Sequence, residues 1–284
     1  MIMNYGLVLE GGAMRGLFSA GVIDVLMENE IKFNTAVGVS AGAAFGCNYK
    51  SRQIGRVIRY NTRFAKDKRY CSVGSLIKTG DIFGARFCYD TIPNELDVFD
   101  KQTYDNDPMR FFVVCTDAET GEPVYTPLPK ADELCFRWIR ASASMPLVSR
   151  PVSIGGRRFL DGGISDSIPI DFIKRIGCEK NVVVLTQPRD FSKEKSSTLP
   201  LMKLSLRKYP KIYEALKHRH IIYNRSRDRV FEEERFGNAF IICPEEKLPI
   251  GRIEHDPEVM KKVYEIGRKA AESSLEELKT FLNI

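Results

Sequence analysis

Two short glycine-containing segments near the N-terminus hold the residues best suited to chemistry. The first is GGAMRG at residues 11–16, and the second is GVSAG at residues 38–42. In a G-x-S-x-G pattern the serine occupies a tight turn between a strand and a helix, which exposes its hydroxyl. Glycines suit such a turn because a side chain would collide with the nearby backbone. The second segment therefore predicts a nucleophilic Ser40, and a purely structural turn is the alternative.

The glycine loop at residues 11–16 has three interpretations. A dinucleotide-binding fingerprint requires a glycine where Ala13 stands, and a phosphate-binding P-loop requires a lysine directly after Gly16. The third is an oxyanion hole, in which N–H groups at a helix N-terminus face the charge that develops on an ester carbonyl. Only this third interpretation uses an exposed serine, so we favour it over nucleotide binding. Arg15 could stabilise the loop or face an anionic head group.

A serine nucleophile needs a base, and two kinds of side chain could supply it. The three histidines, His218, His220 and His255, lie in the last quarter of the chain. A Ser–Asp–His order is formally possible, but Ser40 follows only the second predicted strand, and two of the histidines fall in a basic helical region. Asp161, followed by two glycines, could turn its carboxylate into the site or could form a simple hairpin turn. The residues alone leave these two interpretations of Asp161 equal.

The elements that must position these residues alternate between strand and helix. Apolar, β-branched runs predict strands at 5–9, 35–39, 111–116, 123–126, 152–154, 182–186 and 239–243. Helical periodicity predicts helices at 15–28, 41–49, 53–64, 131–143, 168–176, 199–218, 220–235 and 257–282. This alternation predicts an α/β sandwich with a largely parallel central sheet.

The composition narrows the class of protein further. With 284 residues, 43% of them hydrophobic and 28% charged, the chain can bury a full core. Its seven cysteines include no C-x-x-C unit, which argues against a disulfide framework or a cysteine zinc site, and we expect neither metal nor cofactor. No apolar run reaches the length of a membrane span or signal peptide. We expect a cytoplasmic protein, with peripheral contact at the inner face of the membrane as an open alternative.

A polar, helix-poor stretch divides the chain into two expected parts. We predict a catalytic domain over residues 1–188 and a mainly helical C-terminal region over residues 199–284 that packs on the core. Residues 203–235 hold ten Lys and Arg against five acidic residues. These predicted helices are interpreted as a solvated pair, with a membrane-facing or regulatory surface as the alternative. The net charge of +6 would suit an anionic lipid surface or RNA and favours neither; no nucleic acid partner is expected.

The motifs in their order resemble the patatin-like phospholipase family of the bacterial type. G-G-x-x-R-G is followed by G-x-S-x-G and then by D-G-G, and residues 142–146 resemble that family's S-x-x-x-P segment. The resemblance covers about residues 5–175 and implies a three-layer α/β/α sandwich. It also implies that Ser40 and Asp161 form a catalytic dyad. The oxyanion hole would come from the backbone at Gly11, Gly12, Ala13 and Ala41, and the remaining motif positions are Arg15, Gly16, Gly38, Gly42, Gly162 and Gly163.

The resemblance implies hydrolysis of lipid acyl esters through an acyl-enzyme intermediate. The expected type is a phospholipase A or lysophospholipase, and the lipid head group stays open. A non-catalytic or regulatory lipid-binding relative is the alternative. Two positions depart from the family pattern: Ala13 replaces a frequent third glycine, and Ser167 stands where asparagine is common. Alanine keeps its N–H, so the first departure leaves the mechanism intact.

Overall fold

A computed structural model, which describes residues 4–284, contains one eight-stranded mixed sheet flanked by helices. The strand order is β5-β6-β3-β2-β1-β7-β8, and β4 pairs with β3 outside this path. Strands β3, β2, β1, β7 and β8 are parallel to their neighbours in this series. The pairings of β3 with β4, of β3 with β6 and of β5 with β6 are antiparallel. The predicted α/β fold with a largely parallel sheet is confirmed.

The elements follow one another along most of the chain. The strands are β1 Tyr5–Leu9, β2 Thr35–Val39, β3 Arg110–Asp117, β4 Pro123–Pro127, β5 Val152–Ile154, β6 Arg157–Asp161, β7 Lys180–Val184 and β8 Ala239–Ile242. The α-helices are α1 Gly16–Glu28, α2 Ala41–Lys50, α3 Arg56–Phe64, α4 Val73–Thr79, α5 Lys101–Asn106, α6 Glu133–Ser142, α7 Ile170–Arg175, α8 Leu199–Ser205, α9 Pro210–Arg235, α10 Pro257–Ser273 and α11 Leu275–Leu282. Two 3₁₀ turns, Ala13–Arg15 and Gly162–Ile164, and a π-helix, Phe87–Leu96, complete the set.

The central strands are apolar on both faces because helices cover both sides of the sheet. In β1, Leu7 and Leu9 belong to the core shared with α1, α2, α6 and α10, whereas Val8 belongs to the core shared with α7 and α9. Successive side chains of a strand point to opposite faces, so a continuous apolar run fills both cores. This arrangement gives the three layers. Among residues 4–284 no helix is long and apolar enough to cross a membrane.

The structure corrects several predicted elements. The region of residues 73–106, for which no element was predicted, contains α4, the π-helix and α5. Strand β6, which ends at Asp161, was missing from the predicted strands, and β7 ends at Val184 rather than at residue 186.

The helix predicted at residues 199–218 was wrong, because the chain breaks between α8 and α9. Pro210 stands at the first position of α9, where its missing N–H costs nothing and where it cannot extend the preceding helix. Residues 210–235 then form one uninterrupted helix, so the predicted break at His218–His220 is also wrong. The helix predicted at residues 257–282 divides at Ser274 into α10 and α11.

Helices α1 and α10 pack against each other through two glycines. A Cβ atom at Gly21 would lie 2.1 Å from the carbonyl oxygen of Tyr264, and one at Gly267 would lie 2.0 Å from that of Phe18. Both obstacles are backbone atoms, which cannot move without separating the helices. Helix α10 thus docks on α1 by backbone-to-backbone contact.

We expect Gly21→Ala to destabilise the protein although alanine is the better helix former. The helices must separate, at a cost of about 1–3 kcal/mol in the free energy of unfolding measured with urea. The matched control is Gly74→Ala in α4, where the nearest atom to an added Cβ is 3.8 Å away. That change should be neutral or stabilise by up to ~1 kcal/mol. Equal unfolding free energies for the two variants would contradict the proposed close contact.

Candidate active site

Ser40 occupies a strained turn between β2 and α2. Its backbone angles are φ 55° and ψ −119°, and a positive φ is unfavourable for a residue that has a Cβ. The turn is tight: a Cβ atom at Gly38 would lie 2.4 Å from the carbonyl oxygen of Gly42, and one at Gly42 would lie 2.3 Å from that of Leu9. A side chain at either glycine would therefore collide with the backbone of this turn.

A serine from α6 holds the strained turn in place. The backbone N–H of Ser40 donates to Ser142 Oγ over 2.9 Å, and the Ser142 hydroxyl donates to the carbonyl oxygen of Val114 over 2.6 Å. Ser142 is fully buried, so this connection is shielded from water. Ser142 thereby links the turn to β3.

Asp161 lies at the end of β6 and faces Ser40. The Ser40 hydroxyl donates to Asp161 Oδ2 over 2.7 Å, and the Gly163 N–H donates to Oδ1 over 2.7 Å. The backbone of Asp161 is also held, because its N–H donates to the Ser144 carbonyl and its own carbonyl accepts from the Thr116 hydroxyl. Both carboxylate oxygens are therefore oriented, and one of them is directed at the serine.

Burial dominates the electrostatics of this carboxylate. Asp161 is 2% exposed, and desolvation raises its pKa to about 6. The hydrogen bond from Ser40, the nearby charge of Arg219 and the Gly163 N–H act in the opposite direction. The result is a carboxylate that is ionised at neutral pH and yet more basic than an ordinary aspartate.

The glycine loop lies directly beside the serine. A Cβ atom at Gly11 would lie 3.0 Å from Ser40 Cβ. Within residues 4–284, the backbone N–H groups of Gly11, Gly12, Ala13 and Ala41 have no hydrogen-bond acceptor, and all four residues line the same cavity as Ser40. Free N–H groups at helix N-termini are the groups that can stabilise an oxyanion.

The other motif residues support the geometry of these loops. A Cβ atom at Gly16 would lie 2.7 Å from Ala41 Cβ, and one at Gly162 would lie 2.1 Å from the Val114 carbonyl oxygen. Ala13 adopts φ 50°, so the alanine occupies a conformation that a glycine would adopt without strain. Ser167 is buried and donates from its hydroxyl to the carbonyl oxygen of Gly163. Arg15 lies at the end of the 3₁₀ turn and lines the cavity.

A cavity of about 360 Å³ opens beside the Ser40–Asp161 pair. One wall is apolar and aromatic, and its members include Phe45, Tyr60, Ile82, Phe83, Tyr89, Ile92, Ile139 and Met145. Another part is basic and includes Lys193, Arg219 and Arg252, which the sequence analysis did not single out as site residues. An apolar cavity with a few polar groups at one end is the usual form of a site for a small amphiphilic molecule.

The histidines lie elsewhere. None of the three lines this cavity in the part of the chain that the structure describes. His218 is paired through Nδ1 with the Glu214 carbonyl oxygen, and His255 through Nδ1 with that of Ala65. In the same residues no group of three His, Cys, Asp or Glu side chains could hold a metal ion. The candidate base next to Ser40 is Asp161.

Sequence reasoning missed several residues that build this site. Ser142 and Ser144 belong to the S-x-x-x-P segment, but no role was predicted for either. Arg219 was assigned only to a basic helical region, whereas its Nε donates to the carbonyl oxygen of Gly163. No local pattern marks the roles of Ser142 and Arg219, because Ser40 and Gly163, which they contact, are 102 and 56 positions away in the chain.

Comparison with known proteins identifies the class to which this fold and site belong. The family model described as patatin-like phospholipase matches residues 7–173, and a domain of unknown function, DUF6363, matches residues 209–283. The chain is an α/β protein that belongs to the patatin-like phospholipase family.

Individual relatives are more distant. The chain is 32% identical to the uncharacterized protein YjjU of Escherichia coli over 64% of its length, and it spans 52% of that protein. It is 28% identical to lysophospholipase nte1 of Aspergillus fumigatus over 61% of its length but spans only 11% of that protein. The crystal structure of VipD from Legionella pneumophila aligns with this chain at 14% sequence identity and a TM-score of 0.47. The alignment covers 96% of this chain and 67% of the VipD chain.

Proposed function

We propose that the protein hydrolyses carboxylic esters of lipids through a Ser40–Asp161 dyad and an acyl-enzyme intermediate. The observation that carries this proposal is the 2.7 Å hydrogen bond from the Ser40 hydroxyl to Asp161 Oδ2, at the edge of a partly apolar cavity. A nucleophile needs a base within about 2.6–3.2 Å, and this pair meets that requirement.

The reaction proceeds in two steps. Ser40 Oγ forms a bond to the ester carbonyl carbon while its proton passes to Asp161 Oδ2. The negative oxygen is stabilised by the free N–H groups of Gly12, Ala13 and Ala41, and Gly11 contributes to the same loop. The ester C–O bond then breaks, and the leaving alcohol takes the proton from Asp161. Water next donates a proton to Asp161 and attacks the acyl-enzyme; the fatty acid leaves and Ser40 regains its proton.

The raised pKa of Asp161 supports this role. An aspartate with an ordinary pKa near 4 is a weak base at neutral pH, and one with a pKa of about 6 accepts a proton more readily. Burial raises basicity without protonating the group at pH 7. The apolar cavity wall suits the acyl chain, and the relatives titled lysophospholipase support a phospholipase A or lysophospholipase type.

Labelling with a fluorophosphonate probe tests the nucleophile. Wild-type protein should react, because Ser40 is activated by a neighbouring base, and Ser40→Ala should not react at all. Asp161→Asn should slow labelling by about 10²-fold or more, since the general base is removed. Ser142 is structural, so the matched control is a distant exposed serine, Ser273→Ala, which should label normally. Lipid binding without labelling would instead support a non-catalytic lipid-binding protein.

The pH profile tests the base. Below its pKa of about 6 Asp161 is protonated and cannot accept the serine proton, so kcat/KM should fall about tenfold per pH unit below pH 6 and level off above pH 7. A histidine base would give a similar curve, so the same profile must be measured in the triple variant His218→Ala, His220→Ala, His255→Ala. The profile should persist there. Loss of activity in a variant that keeps its circular dichroism spectrum would contradict the dyad.

We also infer that the protein is cytoplasmic and meets its substrate at a membrane surface through the C-terminal region of residues 199–284. Helix α8 exposes Leu201 and Leu204, at 63% and 67%, next to the exposed Lys203. Met202, between the leucines, lines the cavity. Apolar side chains with flanking basic ones are typical of segments that lie in a lipid interface. Seven unpaired cysteines suit a reducing compartment.

The double variant Leu201→Asp, Leu204→Asp tests this contact. It should lower the activity on anionic vesicles about tenfold, because its apolar anchor is lost, and leave a water-soluble short-chain ester unaffected. The control is Val98→Asp, where an exposed valine lies outside both residues 199–284 and the cavity lining. Vesicle binding by the wild type should weaken with added salt. Equal vesicle activities for the two variants, or binding that salt does not weaken, would contradict the inference.

A further inference from the structure

Four basic side chains from separate parts of the chain line the cavity beside the catalytic pair. Arg15 comes from the glycine loop, Lys193 from the segment before α8, Arg219 from α9 and Arg252 from the segment before α10. We call these residues the cation cluster. Two of its members, Arg219 and Arg252, belong to the region matched by the domain of unknown function.

The cation cluster lacks carboxylate partners. Within residues 4–284, none of its four members forms an ion pair of 4 Å or less. The other two arginines of the cavity, Arg56 and Arg140, are paired with aspartates. The cavity therefore has one neutralised part and one part with uncompensated positive charge.

The nearby carboxylates are engaged in other contacts. Glu10 accepts hydrogen bonds from the Tyr223 hydroxyl and from the Thr186 backbone and side chain. Asp161 accepts from Ser40 and Gly163. The two carboxylates of Glu10 and Asp161 therefore do not neutralise the four basic side chains. An anion could bind to these side chains without displacing either carboxylate.

Several members are held in position by contacts that leave charged atoms free. Lys193 Nζ lies 4.0 Å from the ring centre of Tyr223, and its backbone N–H donates to Asn224 Oδ1. Arg219 uses Nε for the Gly163 carbonyl. The Nε atom of Arg15 is buried and has no hydrogen-bond partner in the described chain. A buried donor without a protein acceptor is unusual, and an anionic group bound in the cavity could accept a hydrogen bond from it.

The lowered pKa values in the cation cluster also favour the binding of an anion. Burial and the neighbouring Arg219 and Arg15 lower the pKa of Lys193 to about 7, although Glu10 opposes the shift. Burial also lowers the pKa of Arg219. Such mutually repelling cations are stabilised when an anion binds among them.

We propose that the cation cluster is a subsite for the phosphate group of a phospholipid or lysophospholipid, next to the ester that Ser40 attacks. This rests on the proposed function and adds the residues that would distinguish phosphate-bearing lipids from neutral ones. The apolar wall would receive the acyl chain, while Lys193, Arg219 and Arg252 bind the head group. The C-terminal region would then determine which lipids are accepted.

The test compares substrates that share one acyl chain and differ in charge: monopalmitoylglycerol, palmitoyl lysophosphatidylcholine and palmitoyl lysophosphatidate. The wild type should prefer the two phosphate esters. Lys193→Gln and Arg252→Gln should each lower kcat/KM for lysophosphatidate about tenfold, by raising KM, because a charge-assisted hydrogen bond contributes at about this level. The same changes should lower kcat/KM for monopalmitoylglycerol much less. Lys32→Gln and Lys195→Gln, at exposed positions outside the cavity lining and outside residues 199–284, are the matched controls.

The proposed subsite would be overturned if the two variants lost equal kcat/KM on lysophosphatidate and on monopalmitoylglycerol. It would also be overturned if the wild type did not prefer the phosphate esters. A second arm does not depend on turnover: glycerol 3-phosphate should bind to Ser40→Ala protein in calorimetry, and the Lys193→Gln change should weaken that binding about tenfold. If palmitate binds through the cluster but glycerol 3-phosphate does not, the anion is a product carboxylate and the proposal is wrong. If the wild type bound glycerol 3-phosphate but did not react with the fluorophosphonate probe, the proposed hydrolase activity would be wrong and the phosphate subsite would stand.

Discussion

The hydrogen bond between the Ser40 hydroxyl and the buried carboxylate of Asp161 is the contact on which the arrangement of the site depends. It joins the end of β2 to the end of β6, two strands that are separated in the sheet by β3. Strand β6 pairs only with residues 115–117 at the end of β3, so that Asp161 lies opposite Cys115, while Val39, which precedes Ser40, lies opposite Val114. This register, in which β6 ends opposite the end of β3, is therefore what brings Asp161 to Ser40.

This contact is costly to maintain. A buried carboxylate loses its hydration, and two hydrogen bonds plus the charge of Arg219 offset only part of the loss, as the raised pKa of Asp161 reports. A raised pKa means that the folded state binds this proton more tightly than the unfolded chain. Between the unfolded pKa near 4 and the folded one of about 6, the contribution of Asp161 to stability therefore falls as pH rises. The same loss of hydration that destabilises the ionised Asp161 therefore makes it a stronger proton acceptor.

Backbone strain adds to that cost at two positions. Ser40 and Ala13 both adopt positive φ, and they lie on the two loops that face the candidate reaction centre. Strain of this kind persists only where the surroundings determine the conformation. Here Ser142 binds the Ser40 N–H, and the glycines at 38 and 42 allow the backbones to approach. The family's frequent glycine at position 13 would adopt the same conformation without this penalty.

The local part of this structure was accessible from the sequence, and the long-range part was not. The strands that precede Ser40 and the glycine loop were predicted because each is a continuous apolar run that ends in a glycine pattern. Residues 73–106 gave no such periodicity, and the π-helix there contains Pro93, which no helical pattern would include. The importance of Ser142 and Arg219 lies in partners far along the chain, which a local pattern cannot encode.

The C-terminal region contacts the part of the chain that carries the candidate site. Strand β8 extends the sheet beyond β7, α10 contacts α1 through backbone atoms at Gly21 and Gly267, and Tyr223 on α9 donates to Glu10 beside the glycine loop. The contacts at Gly21 and Gly267 and between Tyr223 and Glu10 join residues matched by the two different family models. Strand β8 instead pairs with β7, which lies between the two matched segments. Because Arg219 reaches the carbonyl oxygen of Gly163, the charge that opposes the raised pKa of Asp161 comes from outside the patatin-like segment. The electrostatics of Asp161 thus depend on both parts of the chain.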